Sequence, residues 1–380
     1  MGSGLSSSLP TSTSPAIAAL GYLAFIILFR WNTMECRPDK QTFKIALGQM
    51  GLVFVMGYLD LPYMLCALLS MAMAACTYVS LVRGPRFTDV DMKGKTVVVT
   101  GSNTGIGFQT ARELARMGAT VILACRTPAK AEKAVEDIVE ATASRTVSWL
   151  QLDLTDTDSI RNFTKNLKEK CGQDGFDVLI NNAGMLRHER KVTKEGQEMT
   201  LAANHLGPFL LTHLLLDDLK KKKGARIVNV NSSLHHLPKC FDFKDPQMEK
   251  NYEMFSAYGR AKLAAVQCTY ELQRRMVEEK ADVTVNCLHP GQVMTDVSKN
   301  MHWILRYGEL MFYPLMYLMR KTAYQGCFTS VHVATSPDLA AVGGKYFVNC
   351  REARSNPSSY NKEEAKKVWE LSCKLVGIHR

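Results

Sequence analysis

From residue 95 onward, short β-branched runs alternate with helical patterns, and few folds accommodate that alternation. Lys95–Thr100 reads as a strand, Phe108–Met117 as a helix closed by Gly118, and Thr120–Cys125 as the next strand. A helix over residues 129–142, a strand at Val147–Leu152, a helix from Ser159 to Lys170 and a strand at Val178–Ile180 continue the series. Later strands are expected at Arg226–Val230 and Val283–Leu288, separated by long helical patterns. Repeated strand–helix units predict a doubly wound α/β fold, a parallel sheet with helices on both faces, whose ligands bind at the carboxyl ends of the strands.

At that edge lies Thr100-Gly101-Ser102-Asn103-Thr104-Gly105-Ile106-Gly107, directly after a strand and opening a helix. Glycines there permit a tight turn and close backbone approach, and free amides at a helix N-terminus attract a pyrophosphate, as in Rossmann-type folds. The plainer reading is an ordinary strand-to-helix turn. The spacing of three between Gly101 and Gly105 differs from the usual dinucleotide fingerprint.

The preceding residues have another character. Met1–Phe29 carries no charged side chain, and Ile45–Leu59 and the 22-residue stretch Leu61–Val82 are further uncharged runs. The last is long enough to cross a bilayer at about 1.5 Å per residue. Asp60 belongs in an interfacial turn, because a carboxylate at the bilayer centre costs several kcal/mol. Three spans with a lumenal N-terminus place Arg30, Arg37, Lys40, Lys44, Arg83, Arg86, Lys93 and Lys95 together on the cytosolic side. A hydrophobic hairpin in one leaflet is the alternative. We therefore expect residues 1–90 to form a membrane anchor of up to three transmembrane helices and residues 91–380 a catalytic domain.

The net charge of +11 is not read as nucleic-acid binding, since acidic residues are interspersed among the cations. Eleven cysteines, scattered and without a CxxC pair, suggest neither a disulfide framework nor a zinc site. No metal is expected. The adjacent His235 and His236 would point to opposite sides of a strand or splay apart on a helix.

Thr100–Gly107, Asn181-Asn182-Ala183-Gly184, Tyr258-Gly-Arg-Ala-Lys262 and Pro290-Gly291 occur in the order and spacing of the short-chain dehydrogenase/reductase family, which this chain resembles. Leu123–Arg126, Asn204–Gly207, Phe209–Thr212, His235-His236 and Gly343–Phe347 narrow the resemblance to the retinol dehydrogenase branch, including its X-linked dehydrogenase/reductase relative. The likeness covers about residues 92–375. A triple-span leader is not part of it.

The resemblance implies that Tyr258 is the acid/base, with Lys262 one helical turn away supplying a positive charge that favours the phenolate. It places the carbonyl-polarising hydroxyl on Ser232, with Ser233 as competitor, because relatives read Val-Asn-Val-Ser-Ser where this chain has Val228-Asn-Val-Asn-Ser-Ser233. Asn204 matches a position that holds a water in a proton relay through Lys262. Asp153 and the adjoining Leu154 fit the adenine side, Asn182, Ala183 and Gly184 the nicotinamide side, while Asn181 braces the sheet. Pro290, Gly291 and Thr295 resemble a segment closing over the carboxamide.

An acidic residue after the second strand would accept the ribose hydroxyls of NAD, but Arg126 stands there, which suits the 2′-phosphate of NADP(H). Met301–Met319, rich in Met and aromatics, falls where the family has its variable substrate lid, around residues 297–322. The expected function is hydride transfer between NADP(H) and a lipophilic alcohol, aldehyde or ketone, retinoid-, steroid- or polyprenoid-like. The expected setting is the endoplasmic reticulum membrane, or second a mitochondrial membrane, with the domain facing the cytosol, oligomers possible and no nucleic acid bound. Reduction of an activated double bond and a non-catalytic nucleotide-binding scaffold are the alternatives.

Overall fold

A computed structural model of the chain describes residues 85–293 and 320–378. The three apolar runs, Thr295 and nearly all of the 297–322 segment lie outside the described residues. Everything described belongs to one compact unit, Arg83–Arg380.

The strands are β1 Thr96–Thr100, β2 Thr120–Cys125, β3 Val147–Gln151, β4 Val178–Asn181, β5 Ala225–Val230, β6 Val283–His289, β7 Tyr346–Val348 and β8 Arg351–Ala353. They form one sheet in the order β3-β2-β1-β4-β5-β6-β7-β8, parallel except for the β7–β8 pair. The helices are α1 Gly105–Arg116, α2 Pro128–Thr142, α3 Thr157–Cys171, α4 Met199–Lys220, α5 Met254–Glu278, α6 Ala323–Thr335 and α7 Lys362–Val376. The doubly wound expectation and all six strands from β1 to β6 hold to within a residue or two at their ends.

Central strands such as Val178–Asn181 are buried along their whole length, as parallel strands covered on both faces must be. One core, with Phe163, Leu211, Leu215 and Trp369, lies under α3, α4, α5 and α7. The other, with Leu114, Ile138, Cys327 and Phe328, lies under α1, α2 and α6. Residues 85–92 belong to this second layer: Phe87 packs edge-on against Phe328 at 5.7 Å, and Arg116 pairs with Asp89 at 2.6 Å. The helix Met199–Lys220 is apolar and long enough to cross a membrane, but 83% of its most apolar window is buried inside the domain. It is a core helix.

The β7–β8 hairpin was not expected from the sequence. Each strand has three residues, and the connecting Asn349 and Cys350 both adopt positive φ, 51° and 58°. That conformation is normally announced by glycine, and Asn-Cys does not announce it.

The strand order reverses between β1 and β4, which opens a crevice at their carboxyl ends. The glycine-rich turn after β1, the Asn-Asn-Ala-Gly turn after β4, the serines after β5 and Pro290-Gly291 after β6 all meet this edge.

Candidate active site

The glycine turn is braced from below. Ser102 donates its hydroxyl to the Val99 carbonyl at 2.8 Å and lies 3.6 Å from the Cys125 sulfur, so its side chain faces the interior and only its backbone can meet a ligand. Asn182 donates to the carbonyls of Thr100 at 2.9 Å and Gly101 at 3.3 Å, while the Thr100 hydroxyl accepts from the amides of Asn182 and Ala183, both at 3.0 Å. Gly101 admits no side chain, since a Cβ there would lie 2.8 Å from the Ala183 Cα.

Above the brace, the turn is open. Thr104 at the start of α1 makes no side-chain cap, which leaves the first amides of the helix without a side-chain acceptor. Gly105 has φ of 61°, and a Cβ built on it meets nothing within 4 Å. Uncapped amides beside open space fit a dinucleotide pyrophosphate. Asn103 is partly exposed and Thr104 exposed, Gly107 is buried, and Ile106 packs toward α6.

On the far side of β1, Arg126 is 62% exposed at the end of β2, 3.9 Å from the Asp153 carboxylate. Asp153 also accepts from the Thr155 amide and hydroxyl at 2.9 and 2.7 Å. Leu154 is buried in the core, so only its backbone is available to a ligand. Beyond β6, Pro290 is buried and Gly291, at φ 91°, lies against the buried Lys321, whose Cε would be 2.9 Å from a Cβ at Gly291. Lys321 donates to Asn349 at 2.6 Å. Its backbone amide donates to the Gln292 carbonyl at 2.8 Å.

Between these two wings the structure brings Ser232, Tyr258, Lys262, Gly184 and Asn204 together. Tyr258 and Lys262 sit one turn apart on α5, with the Lys262 Nζ 5.5 Å from the Tyr258 ring centroid and donating to the Val230 carbonyl at 3.0 Å. The Ser232 hydroxyl lies beside the Tyr258 phenol, whose pKa it lowers, and caps the 3-10 turn Ser233–His236, accepting from the Leu234 amide at 3.3 Å. Ser232, not Ser233, is therefore the hydroxyl at the tyrosine.

Asn231 holds that register. It accepts from the Ser232 amide at 2.8 Å and donates to the Lys262 carbonyl at 2.9 Å, tying the end of β5 to α5. No spacing or motif announces this role. Nor does any announce Thr100 as the acceptor for two amides of the next loop.

Asn204 lies in a π-helical turn, Ala202–Leu206, within α4. Its side chain donates to Met185 O at 2.7 Å and to Thr200 O at 2.8 Å, and accepts from the Met185 amide at 3.2 Å. The close approach needs Gly184, where a Cβ would fall 2.7 Å from the Asn204 Oδ1. Behind Asn204 and Lys262 is a cavity of about 50 Å³ lined also by Asn181, Asn229, Thr212 and Thr269. Its lining is mixed, with Phe209, Leu216 and Trp369 beside these polar groups, and its volume is enough for a few waters, each needing about 10–15 Å³.

Two expectations are corrected here. Burial pushes Tyr258 up to about 12, only partly offset by its bond with Ser232, and pushes Lys262 down to about 8. Desolvation of the partly buried phenol and the buried lysine thus outweighs the acidifying influence expected of the ammonium. His235 and His236 do not splay: the 3-10 turn brings their rings together, centroids 4.0 Å apart and planes inclined at 45°. Asn181 braces the sheet as expected, donating to Thr212 and Asn229 at 2.9 and 2.8 Å. Thr295 lies outside the described residues.

Comparison with known proteins places this arrangement. Residues 95–303 match the family model for short chain dehydrogenases. Retinol dehydrogenase 12 of Bos taurus is 42% identical over 291 residues, covering 77% of this chain and 89% of that protein. Polyprenol dehydrogenase of Homo sapiens is 38% identical over 288 residues, 75% and 86% of the two chains. Among solved structures, a short chain dehydrogenase from Burkholderia cenocepacia in complex with NADP superposes with a TM-score of 0.53 at 25% identity, covering 68% of this chain and 97% of that one. The chain belongs to the short-chain dehydrogenase family of oxidoreductases, in its retinol dehydrogenase-like branch.

Proposed function

We propose that this protein is a membrane-anchored enzyme that transfers hydride between NADP(H) and a lipophilic alcohol or carbonyl, working chiefly as a carbonyl reductase. The observation that carries the reading is the convergence of Ser232, Tyr258 and Lys262 beside the uncapped turn of α1.

When bound, the nicotinamide supplies or accepts the hydride. Gly101–Gly107 would hold the pyrophosphate on backbone amides, Arg126 the 2′-phosphate, Asp153 and the Leu154 backbone the adenine. Ala183, Gly184, Pro290, Gly291 and Thr295 would border the nicotinamide half, with Asn182 keeping the two turns in register. Ser232 donates a hydrogen bond to the substrate carbonyl oxygen, and Tyr258 gives its proton to the alkoxide that develops there. Tyr258 is protonated at neutral pH, the state a reductase needs. Lys262, still largely charged below about pH 8, stabilises the phenolate left behind. The cavity behind Lys262 and Asn204 has room for waters that would return the proton.

Arg126 and the absence of a carboxylate at its position favour the phosphorylated cofactor. Because cytosolic NADP pools are mostly reduced, reduction is the net direction. The apolar runs in residues 1–90 hold the domain at a membrane, by default the endoplasmic reticulum, on its cytosolic face, and the Met- and aromatic-rich composition of residues 301–319 suits a lipophilic substrate. The names of the two relatives above favour a retinoid or polyprenoid aldehyde.

The test incubates detergent-solubilised full-length protein with NADPH or NADH and all-trans-retinal, a polyprenal, a keto-steroid and a fatty aldehyde. Tyr258→Phe is expected to lose about 10²-fold or more of the turnover. Undiminished activity in that variant would refute the assigned proton donor.

A further inference from the structure

Ser232 is held from behind by a fully buried histidine. The Nδ1 of His235 lies 2.6 Å from the Ser232 carbonyl oxygen, and its Nε2 receives the backbone amide of Asn356 at 3.1 Å. An amide can only donate, so Nε2 must be the unprotonated nitrogen, and the ring's one proton resides on Nδ1, where it is donated to Ser232. The ring is fully buried, with the tilted rings of His236 and Tyr346 4.0 and 4.8 Å away between centroids. His289 at the end of β6 is the other titratable group whose charge would bear on it. The Asn356 side chain completes the clamp, donating to His235 O at 3.0 Å and to Pro238 O at 2.7 Å.

We propose that His235, fixed in the Nδ1–H form by Asn356, is a positioning residue for the reaction assigned above: it sets the backbone of Ser232 and thereby the approach of the Ser232 hydroxyl to Tyr258 and to the substrate oxygen. This rests on the functional reading of the preceding subsection. A neutral ring with both nitrogens engaged cannot swing, and burial holds its protonation far below neutral pH, down to about 3. The serine turn is thus tied to a segment 121 residues further along the chain rather than only to its own neighbours.

The test has two arms on full-length protein in detergent. In the first, turnover is measured with NADPH and all-trans-retinal, or whichever aldehyde of the panel reacts fastest, for Ser232→Ala, His235→Phe, His235→Asn and the Ser232→Ala/His235→Phe double variant. Removing the ring's donor and acceptor in His235→Phe should lower kcat about tenfold or more, with the KM for NADPH unchanged within about twofold. His235→Asn, which keeps a donor near Nδ1, should recover part of the loss and serves where the phenylalanine variant does not fold. In the Ser232→Ala background, His235→Phe should change kcat by less than about threefold, because the group it positions is already gone.

An equal loss in both backgrounds would make His235 a merely structural residue and overturn the proposal alone. A Ser232→Ala variant as active as the wild type would instead overturn the functional reading, and the positioning role with it. In the second arm, nitrogen-15 spectra of histidine-labelled protein, assigned with His235→Asn, should show the Nδ1–H tautomer from about pH 8 to about pH 5. An Nε2–H tautomer, or protonation within that range, would overturn the clamp independently of any substrate.

Discussion

Lys262 and Tyr258 stand one helical turn apart on α5, the ammonium 5.5 Å from the phenol ring, and burial drives their titrations in opposite directions, to about 8 and about 12. The lysine is 4% exposed, so the shift is a statement about stability as well as chemistry. Between about pH 8 and the ordinary lysine value of 10.5, the unfolded chain binds more protons at this site than the folded one. Folding is therefore penalised below pH 8, and the penalty is relieved as pH rises through that window. A shift of this size corresponds to roughly 3 kcal/mol. Lys262→Met should raise the Tm at pH 7 while abolishing turnover, and the gain should shrink as the pH approaches 10.5; thermal unfolding at a series of pH values measures it. A variant destabilised at pH 7 would mean the ammonium is held more favourably than its burial indicates.

Turnover in the reductive direction should report the same lysine. As Lys262 loses its proton near pH 8, the charge that stabilises the phenolate disappears, and kcat should fall with a midpoint in that region. The phenol titrates far above it and contributes no limb at neutral pH. A pH–kcat profile that stays level to pH 10 would remove Lys262 from the proton step.

Asn182 joins the turn after β4 to the turn after β1 through two donated bonds, to Thr100 and Gly101. Asn182→Ala leaves both carbonyls without that donor, at a cost of about 1–3 kcal/mol. The glycine turn should loosen and NADPH affinity should drop about tenfold. Isothermal titration with NADPH and thermal unfolding read the two effects, and unchanged affinity would show that the turn is set by its glycines alone.

Arg126 is well exposed, with Asp153 3.9 Å away as its ion-pair partner, so its value is directional rather than structural. Arg126→Asp should leave stability within about 0.5 kcal/mol. It should shift the ratio of kcat/KM for NADPH over NADH by about 10²-fold toward NADH, as expected when a charge-assisted phosphate contact becomes repulsive. Steady-state kinetics with both cofactors decide it.

The elements that the sequence made legible are those whose signal is local. Val97–Val99 and Val121–Leu123 announce buried parallel strands by composition, and Gly118 at φ 91° marks where α1 must stop. Tyr258 and Lys262 were legible because four residues on a helix return to the same face. The chain's ungapped match to its relatives pointed to Ser232, and the structure supplies the reason: Asn231 uses both ends of its side chain to keep the turn from slipping. What escaped has no periodic signal. The β7–β8 hairpin has no glycine in its turn, and the close approach of the His235 and His236 rings follows from a 3-10 turn that no periodicity foretells. The raised Tyr258 titration depends on how much water the surrounding elements exclude, which residue spacing does not encode.

The bond from the Asn356 amide to His235 also has a bearing on synthesis. During translation the glycine turn, the tyrosine helix and the serines emerge well before residue 356, yet the serine turn lacks its clamp until that residue has left the ribosome. A nascent chain released before Asn356 would carry every reacting side chain and still present an unfastened centre, so a product cut short there should turn over at least about tenfold more slowly rather than behave as a slightly shortened enzyme.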